Sequence, residues 1–139
     1  MLICIDSNQF IFGIDQTAPD SVELLRVLRV FEVAIPRLAV QEVARNLRTP
    51  EQVKAFYRLL KGSPRLLIVD EPVPAELVTK YVTLGLPEKA DAVIGAFSEW
   101  VGAKYLISDN RHFLKELKTE AYEVLTPGEF LERYRERRL

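Results

Sequence analysis

The sequence predicts an α/β fold, a three-layer α/β/α sandwich around a central parallel sheet of four to five strands. Short apolar runs rich in β-branched residues recur along the chain, each next to turn-forming residues, and they indicate strands. Between them lie stretches with apolar residues at three- and four-residue spacing, which indicate amphipathic helices. Strands that alternate with helices favour a parallel sheet covered on both faces.

The predicted strands are short and apolar, and polar or turn-forming residues follow them. They span residues 2–5, 33–35, 66–69, 105–107 and 122–125. Pro36 ends the second of these strands, and Thr126 begins the turn after the fifth. Each connection between neighbouring parallel strands is expected to be a right-handed crossover.

Several helices are predicted between the strands from start signals and apolar spacing. One begins at Pro19 and continues to about Phe31, and another begins at Thr49 and stops near Gly62. Apolar residues at 40, 43, 44 and 47 predict a helix before the second of these. Three more are predicted over residues 73–84, 87–101 and 128–137.

Length and composition bound the class of protein. A chain of 139 residues with 48% hydrophobic and 28% charged residues is typical of one globular domain, which we predict over residues 1–139. No apolar run approaches the roughly 20 residues that a membrane span needs, and the N-terminus lacks signal-peptide features. We therefore expect a cytoplasmic protein, with the single cysteine, Cys4, buried as a small hydrophobe. The net charge of −1 neither supports nor excludes nucleic-acid binding.

Polar residues follow two of the predicted strands in a similar pattern. Asp6-Ser7-Asn8 follows the first strand, and Ser108-Asp109-Asn110 follows the fourth. In open parallel sheets, ligands bind beyond the carboxyl ends of the strands where the strand order reverses. Oxygen ligands of this kind suit Mg²⁺ or Mn²⁺, although the same residues are also common turn formers and helix caps.

Two acidic residues on predicted helices extend this candidate site. Glu42 lies at the edge of the apolar stripe of its helix, and Asp91 lies in the first turn of the helix predicted over 87–101. In that later helix the expected buried stripe is Ala90, Val93, Ile94, Phe97 and Val101, beside a stripe of small residues that includes Gly95 and Ser98. Taken singly, Glu42 could be a solvated side chain and Asp91 could serve only the helix dipole.

Four segments in this order resemble a PIN domain. They are Ile3-Cys4-Ile5-Asp6-Ser7-Asn8, Val40-Gln41-Glu42-Val43, the run from Lys89 to Ala96, and the run from Leu106 to Phe113. The resemblance implies a three-layer α/β/α fold, a cluster of acids that binds one or two Mg²⁺ or Mn²⁺ ions, and hydrolysis of RNA phosphodiester bonds. It further implies that small members are often VapC-type toxins, paired with a small antitoxin and commonly homodimeric.

The same resemblance assigns roles to particular residues. Asp6, Glu42 and Asp91 match the metal ligands of the family, and Asn8 would orient Asp6 or a metal-bound water. The fourth acid departs from the pattern. Aligned on the aromatic Phe113, the chain has Ser108 at the family's hydroxyl position but Asn110 where an acid is usual, and Asp109 comes one residue early. We expect Asp109 to act as the fourth metal ligand because Mg²⁺ favours charged oxygens.

The implied mechanism uses metal ions held by these acids to lower the pKa of a water and to shield the charge of the scissile phosphate. Arg45, Arg48 and Arg111 are candidate RNA phosphate contacts, although a solvated surface role is the more common one for such residues. The only histidine, His112, is interpreted as a packing residue of its loop. The basic segment from residue 133 to 138 is interpreted as a solvated helix end.

Three other functions are alternatives to the ribonuclease. A phosphoacceptor receiver domain would use Asp70, Asp6 and Ser108, but it needs a lysine after the fifth strand, where this chain has Leu125-Thr126-Pro127. A haloacid-dehalogenase-type phosphatase needs an acid at position 8, which is Asn. A PIN-like binding protein that has lost catalysis is the third alternative, and the displaced fourth acid favours it.

Overall fold

The computed structural model describes residues 1–87 and 89–139, and its centre is a five-stranded parallel sheet. The strands are β1 (Leu2–Ile5), β2 (Glu32–Pro36), β3 (Leu66–Val69), β4 (Tyr105–Ile107) and β5 (Glu123–Leu125). Their order across the sheet is β3-β2-β1-β4-β5, with every neighbouring pair parallel. The predicted α/β fold with a central parallel sheet is therefore confirmed.

Helices cover both faces of this sheet. They are α1 (Ser7–Asp15), α2 (Pro19–Arg26), α3 (Arg37–Asn46), α4 (Pro50–Lys61), α5 (Ala75–Thr83), α6 (Lys89–Trp100) and α7 (Pro127–Arg135). A 3₁₀ turn spans Leu28–Val30, and a single π-helical turn spans His112–Glu116. Glu88, within the helix predicted over residues 87–101, lies outside the described residues.

Side-chain caps explain where two helices begin. The Thr49 hydroxyl accepts a hydrogen bond from the backbone N–H of Gln52 at 3.1 Å, and Pro50 occupies the first position of α4. At α7, Thr126 and Glu129 form a reciprocal capping box. These local interactions place the predicted helix starts close to the observed ones.

Helix α1 is not among the predicted helices, and its packing explains the omission. Its apolar face is interrupted by Gly13, which is buried where α1 crosses α2. A Cβ atom on Gly13 would stand 2.4 Å from Cδ1 of Leu25 and 2.9 Å from the backbone carbonyl oxygen of Ser21, so a side chain there would require the two helices to shift apart. A glycine within a helix weakens the apolar pattern on which sequence prediction depends.

The strands alternate between two buried clusters on opposite faces of the sheet. Ile3, Ile5, Val33 and Ile107 belong to one cluster, which lies under helices α1 to α4 and α7. Cys4, Ala34 and Leu106 belong to the other, under α5 and α6, where Cys4 is 2% exposed as predicted. The sheet is thus the middle of three layers.

The buried face of α6 differs from the predicted one. Ala90 is exposed, and Val93 and Ile94 are only half-buried, whereas the buried residues are Ala92, Gly95, Ala96, Phe97 and Ser98. Gly95 faces two stacked tyrosines, Tyr81 and Tyr122, and the Tyr122 hydroxyl donates a 2.9 Å hydrogen bond to the Gly95 carbonyl. Small residues are needed here because the tyrosines fill the space, so the stripe of small residues faces the core.

The strand order positions the candidate site. From β1 the chain proceeds to β2 and β3 on one side of the sheet, then crosses to β4 and β5 on the other. The order therefore reverses between β1 and β4, whose carboxyl ends carry Asp6 and Ser108. Within the described part of the chain, no helix is long and apolar enough to cross a membrane.

Candidate active site

A cavity of about 510 Å³ opens beyond the carboxyl ends of β1 and β4. Polar side chains dominate its lining, with acids as the most frequent type. The lining residues are Asp6, Asn8, Ile11, Phe12, Asp15, Glu42, Asn46, Arg48, Asp91 and Asn110. Three of the four predicted metal-ligating acids thus line one cavity.

Asp6 is the most deeply placed of these acids. It precedes the first residue of α1, and it is only 8% exposed. The Ser108 hydroxyl donates a 2.9 Å hydrogen bond to its Oδ2 atom. The pKa of Asp6 is raised to about 6, mainly by burial and also by the nearby carboxylates of Asp91, Glu42 and Asp109, against the lowering effect of the Ser108 hydrogen bond.

Glu42 and Asp91 approach Asp6 from two different helices. Glu42 lies on α3 and Asp91 lies in the first turn of α6, and both are half-buried. Together with Asp6 and Ser7 they also border a smaller cavity of about 50 Å³ beside the main one. The carboxylates therefore line a shared space, where like charges repel one another and favour binding of a cation.

At the fourth metal-ligand position, the residue on the cavity is not Asp109, which the sequence favoured. Asn110 lines the cavity, and its Nδ2 atom lies 3.5 Å from both carboxylate oxygens of Asp91. Asp109 is exposed and does not line the cavity. Ser108 is fully buried, and its hydroxyl accepts a 3.0 Å hydrogen bond from the Asn110 backbone N–H. This hydrogen bond stabilises the turn from Ser108 to Asn110. The ligand role of Asp109 stays a prediction, and of the two residues Asn110 is the one on the cavity.

The remaining predicted residues separate into those on the cavity and those outside it. Asn8 is exposed and lines the cavity, as does Arg48. Arg45 and Arg111 are exposed and do not line it. His112 is half-buried, and its ring lies against Glu116 across the π-helical turn, which raises the pKa of the imidazole. This contact is compatible with the predicted packing role.

Asp15 is a cavity residue that sequence reasoning missed. Its side chain is 8% exposed and accepts a 2.9 Å hydrogen bond from the Nε2 atom of Gln52. Asn8, Ile11, Phe12 and Asp15 share the cavity-facing side of α1 at three- and four-residue spacing. This spacing could have predicted that Asp15 lies on the same helix face as Asn8. The prediction was not made because α1 itself was not recognised as a helix.

The donor set fits a hard divalent cation. Carboxylate oxygens from Asp6, Glu42 and Asp91 are of the type that Mg²⁺ and Mn²⁺ prefer, and one or two carboxylates with waters are enough for Mg²⁺. The Asn110 amide oxygen instead accepts a 3.0 Å hydrogen bond from the His112 backbone N–H. Among residues 1–87 and 89–139, no group of three Asp, Glu, His or Cys side chains is close enough to hold a metal ion as it stands. A bound Mg²⁺ ion would therefore take two protein carboxylates at a time and complete its coordination with water.

The receiver-like site is not assembled. Asp70 follows the edge strand β3, separated from β1 by β2, and it forms a 2.8 Å ion pair with Arg37. It borders a separate, mostly apolar cavity of about 580 Å³ that Asp6 and Ser108 do not line. The three residues that a receiver would combine therefore lie apart.

Comparisons with known proteins find similarity in structure alone. No protein-family model matches the chain, and no curated protein matches its sequence. VapBC2 from Rickettsia felis, solved bound to a DNA fragment from its promoter, has a chain with a TM-score of 0.60 and 18% identity, covering 91% of this chain and 98% of that one. FitAcB from Neisseria gonorrhoeae has a chain with a TM-score of 0.58 and 20% identity, and the match covers 91% of this chain and 98% of that one.

A third structure, FitAB bound to an IR36 DNA fragment, gives a TM-score of 0.59 and 19% identity over 90% of this chain and 94% of that one. Nearly the whole length of each chain is matched in all three comparisons. Likeness at this level of identity concerns the fold. The chain therefore has the fold of these VapBC and FitAB structures, an α/β sandwich of the PIN-like type.

Proposed function

We propose that this protein is a metal-dependent endoribonuclease that hydrolyses RNA phosphodiester bonds and is the toxin of a toxin–antitoxin pair. The observation that carries the proposal is the convergence of Asp6, Glu42 and Asp91 on one cavity at the strand-order reversal. Hard oxygen donors around an open cavity suit phosphodiester hydrolysis assisted by Mg²⁺ or Mn²⁺.

In this proposal the protein side chains hold the cation and orient water or substrate, and none of them attacks the phosphate. Asp6, Glu42 and Asp91 line the space in which a cation would be held, and two carboxylates with water are enough for Mg²⁺. When bound, the cation would lower the pKa of water and shield phosphate charge. Ser108 binds Oδ2 of Asp6, and this hydrogen bond holds the carboxylate in one rotamer with Oδ1 free of that contact. Asn110 and Asn8 contribute neutral polar groups at the cavity surface, where they can orient water or substrate.

The proposal of an antitoxin partner rests on fold likeness. VapBC2 and FitAB were solved bound to DNA fragments, and their fold matches nearly the whole of this chain. By analogy we propose a small DNA-binding antitoxin as partner, a homodimeric state and action in the cytoplasm. Co-expression with a small DNA-binding protein encoded by a neighbouring gene, followed by co-purification, tests the partner.

A second candidate is a PIN-like binding protein without catalysis. The observation that favours it is Asn110, an amide on the cavity at the position where the family pattern has an acid. One fewer carboxylate lowers the negative charge available to hold a second cation. Under this alternative the protein binds its partner yet leaves RNA intact with either metal.

One experiment separates the candidates. Purified protein is incubated with a panel of end-labelled single-stranded and structured RNAs, and with single-stranded DNA, in Mg²⁺, in Mn²⁺ and in EDTA. The ribonuclease proposal expects discrete RNA fragments that depend on the metal. RNA left intact under all conditions would support the non-catalytic binding protein. A separate incubation with a small phosphodonor tests the receiver, which stable phosphorylation of Asp70 would support.

A further inference from the structure

The main cavity is elongated along helix α1. Asp6 precedes the helix and Asp15 is its last residue, and both line the cavity. At 1.5 Å rise per residue, these two positions are about 14 Å apart along the helix axis. The apolar side chains of Ile11 and Phe12 line the cavity between them. The cavity therefore extends well beyond the acids that would hold a cation.

Arg48 is held at the far end of this cavity by contacts with α1 and α4. Its Nε atom lies 3.7 Å from Oδ2 of Asp15. The other carboxylate oxygen of Asp15 accepts a 2.9 Å hydrogen bond from the Gln52 side chain, whose Oε1 atom accepts a 2.7 Å hydrogen bond from the Arg48 backbone N–H. Both the main chain and the guanidinium of Arg48 are thus tied to the same pair of residues.

The guanidinium of Arg48 keeps free donors despite these contacts. Its side chain is 75% exposed, and no described residue accepts a hydrogen bond from its two Nη groups. Arg37 and Arg133, in contrast, donate side-chain hydrogen bonds to Asp70 and Glu123. Of the three arginines that the sequence nominated for RNA contact, Arg48 is the one that lines the cavity.

Resting on the proposed ribonuclease function, we propose that Arg48 binds a second RNA phosphate of the cleaved strand, away from the scissile one, with Asp15 as its positioning residue. A planar guanidinium with free N–H groups matches the oxygens of a phosphate. The Asp15 carboxylate is 8% exposed and accepts the hydrogen bond from Gln52, so it is a fixed group 3.7 Å from the Nε atom of Arg48 and can orient the guanidinium. The cation and Arg48 then bind two different phosphates of one strand.

Binding without cleavage tests this assignment. Fluorescence anisotropy measures the Kd of a labelled single-stranded RNA in Mg²⁺, with Asp6→Asn as the common background so that the RNA stays intact. The Kd is followed between about 50 and 200 mM salt, because each phosphate contact contributes about 0.7 to the salt slope for a single strand. Arg29→Ala is the matched control, since Arg29 is exposed and precedes the amino end of β2, at the opposite edge of the sheet.

Arg48→Ala is expected to raise the Kd about ten-fold at the lowest salt and to reduce the salt slope by about 0.7, whereas Arg29→Ala leaves both unchanged. Arg48→Lys is expected to keep the slope but weaken binding, because the charge is retained and the planar fork is lost. An Arg48→Ala protein with the slope and Kd of its background would overturn the assignment, even where the wild type cleaves RNA and the ribonuclease proposal stands. RNA that fails to bind the background protein and is not cut by the wild type would overturn both.

A double-mutant cycle tests the role of Asp15. If Asp15 acts through Arg48, the effect of Asp15→Asn on the Kd differs between proteins that retain Arg48 and proteins that carry Arg48→Ala. With Arg48→Ala present, removal of the negative charge tightens RNA binding, whereas with Arg48 retained the loss of orientation opposes that gain. Additive effects of the two substitutions would overturn the positioning role.

Discussion

The Ser108 hydroxyl donates a 2.9 Å hydrogen bond to Oδ2 of Asp6, joining two residues that are 102 positions apart in the chain. Both are buried, and they follow the adjacent parallel strands β4 and β1. The hydrogen bond lowers the pKa of Asp6 against the opposing effects of burial and of the neighbouring carboxylates. Ser108 is therefore the residue that favours the charged form of the innermost acid.

Substitution of Ser108 tests this role. Ser108→Ala removes a hydrogen bond to a charged group, a change worth about 1.5–3 kcal/mol, and it is expected to raise the pKa of Asp6 further. The acidic limb of the cleavage-rate profile then moves to higher pH, because more alkaline conditions are needed to ionise Asp6. Ser98→Ala is the matched control, since Ser98 is equally buried but donates its hydrogen bond to the carbonyl of Ile94. An unchanged acidic limb in Ser108→Ala would contradict this assignment.

The raised pKa of Asp6 predicts how stability changes with pH in the absence of metal. Asp6 has a pKa of about 6 when folded against an ordinary value of 3.8, so the folded protein holds the proton more tightly. Its contribution to stability is fully present below 3.8 and is lost as the pH rises through about 6, by up to about 3 kcal/mol.

Asp6→Asn lacks this dependence and supplies the measurement. In EDTA, the free energy of unfolding of Asp6→Asn relative to that of the wild type is expected to increase between about pH 4 and pH 8, because only the wild type loses stability from this group. Urea unfolding at a series of pH values gives the difference. A constant difference across the range would show that Asp6 has an ordinary pKa.

Divalent metal is expected to raise the melting temperature. Carboxylates that line one cavity repel each other when no cation is bound, and a cation that binds only the native state stabilises it by mass action. Mn²⁺ should act at lower concentration than Mg²⁺, following the usual order of affinities. Thermal unfolding in both metals measures this, with Asp91→Asn expected to reduce the shift. The absence of a shift with millimolar concentrations of either metal counts against the cation site.

The two candidates for the fourth ligand position are distinguished by substitution. The sequence favoured Asp109 for its charge, but Asn110 is the one on the cavity, 3.5 Å from Asp91. We therefore expect Asn110→Asp to tighten metal binding roughly ten-fold, about 1.4 kcal/mol, and Asp109→Ala to have a smaller effect. Metal titrations followed by the melting temperature measure both. A larger loss in Asp109→Ala than in Asn110→Ala would support the original assignment of Asp109.

Most of the sheet could be predicted from the sequence because its strands are short, apolar and rich in β-branched residues. The runs 2–5, 66–69 and 105–107 match β1, β3 and β4 residue for residue. The buried face of α6 could not be predicted, because Gly95 faces the core only where Tyr81 and Tyr122 fill the space beside it. That arrangement depends on residues that are distant in the chain.

The residues of the candidate site were likewise predicted only in part. Asp6 and Ser108 were identified because residues after parallel strands converge at one edge of the sheet. Asp15 was missed since α1, interrupted by Gly13, was not recognised as a helix. The choice between Asp109 and Asn110 depended on one residue of register in a turn, which the hydrogen bond from the Asn110 backbone N–H to Ser108 determines.

Cleavage of end-labelled RNA by Asp6→Asn tests the central claim most directly. Asp70→Asn is the matched control, because Asp70 is also an acid after a parallel strand but borders the other cavity. With Mn²⁺ present, we expect Asp6→Asn to lose cleavage by at least about a hundred-fold, corresponding to about 2.7 kcal/mol, with its fold intact, while Asp70→Asn retains the wild-type rate. RNA cleavage by Asp6→Asn at the wild-type rate would contradict the proposed site.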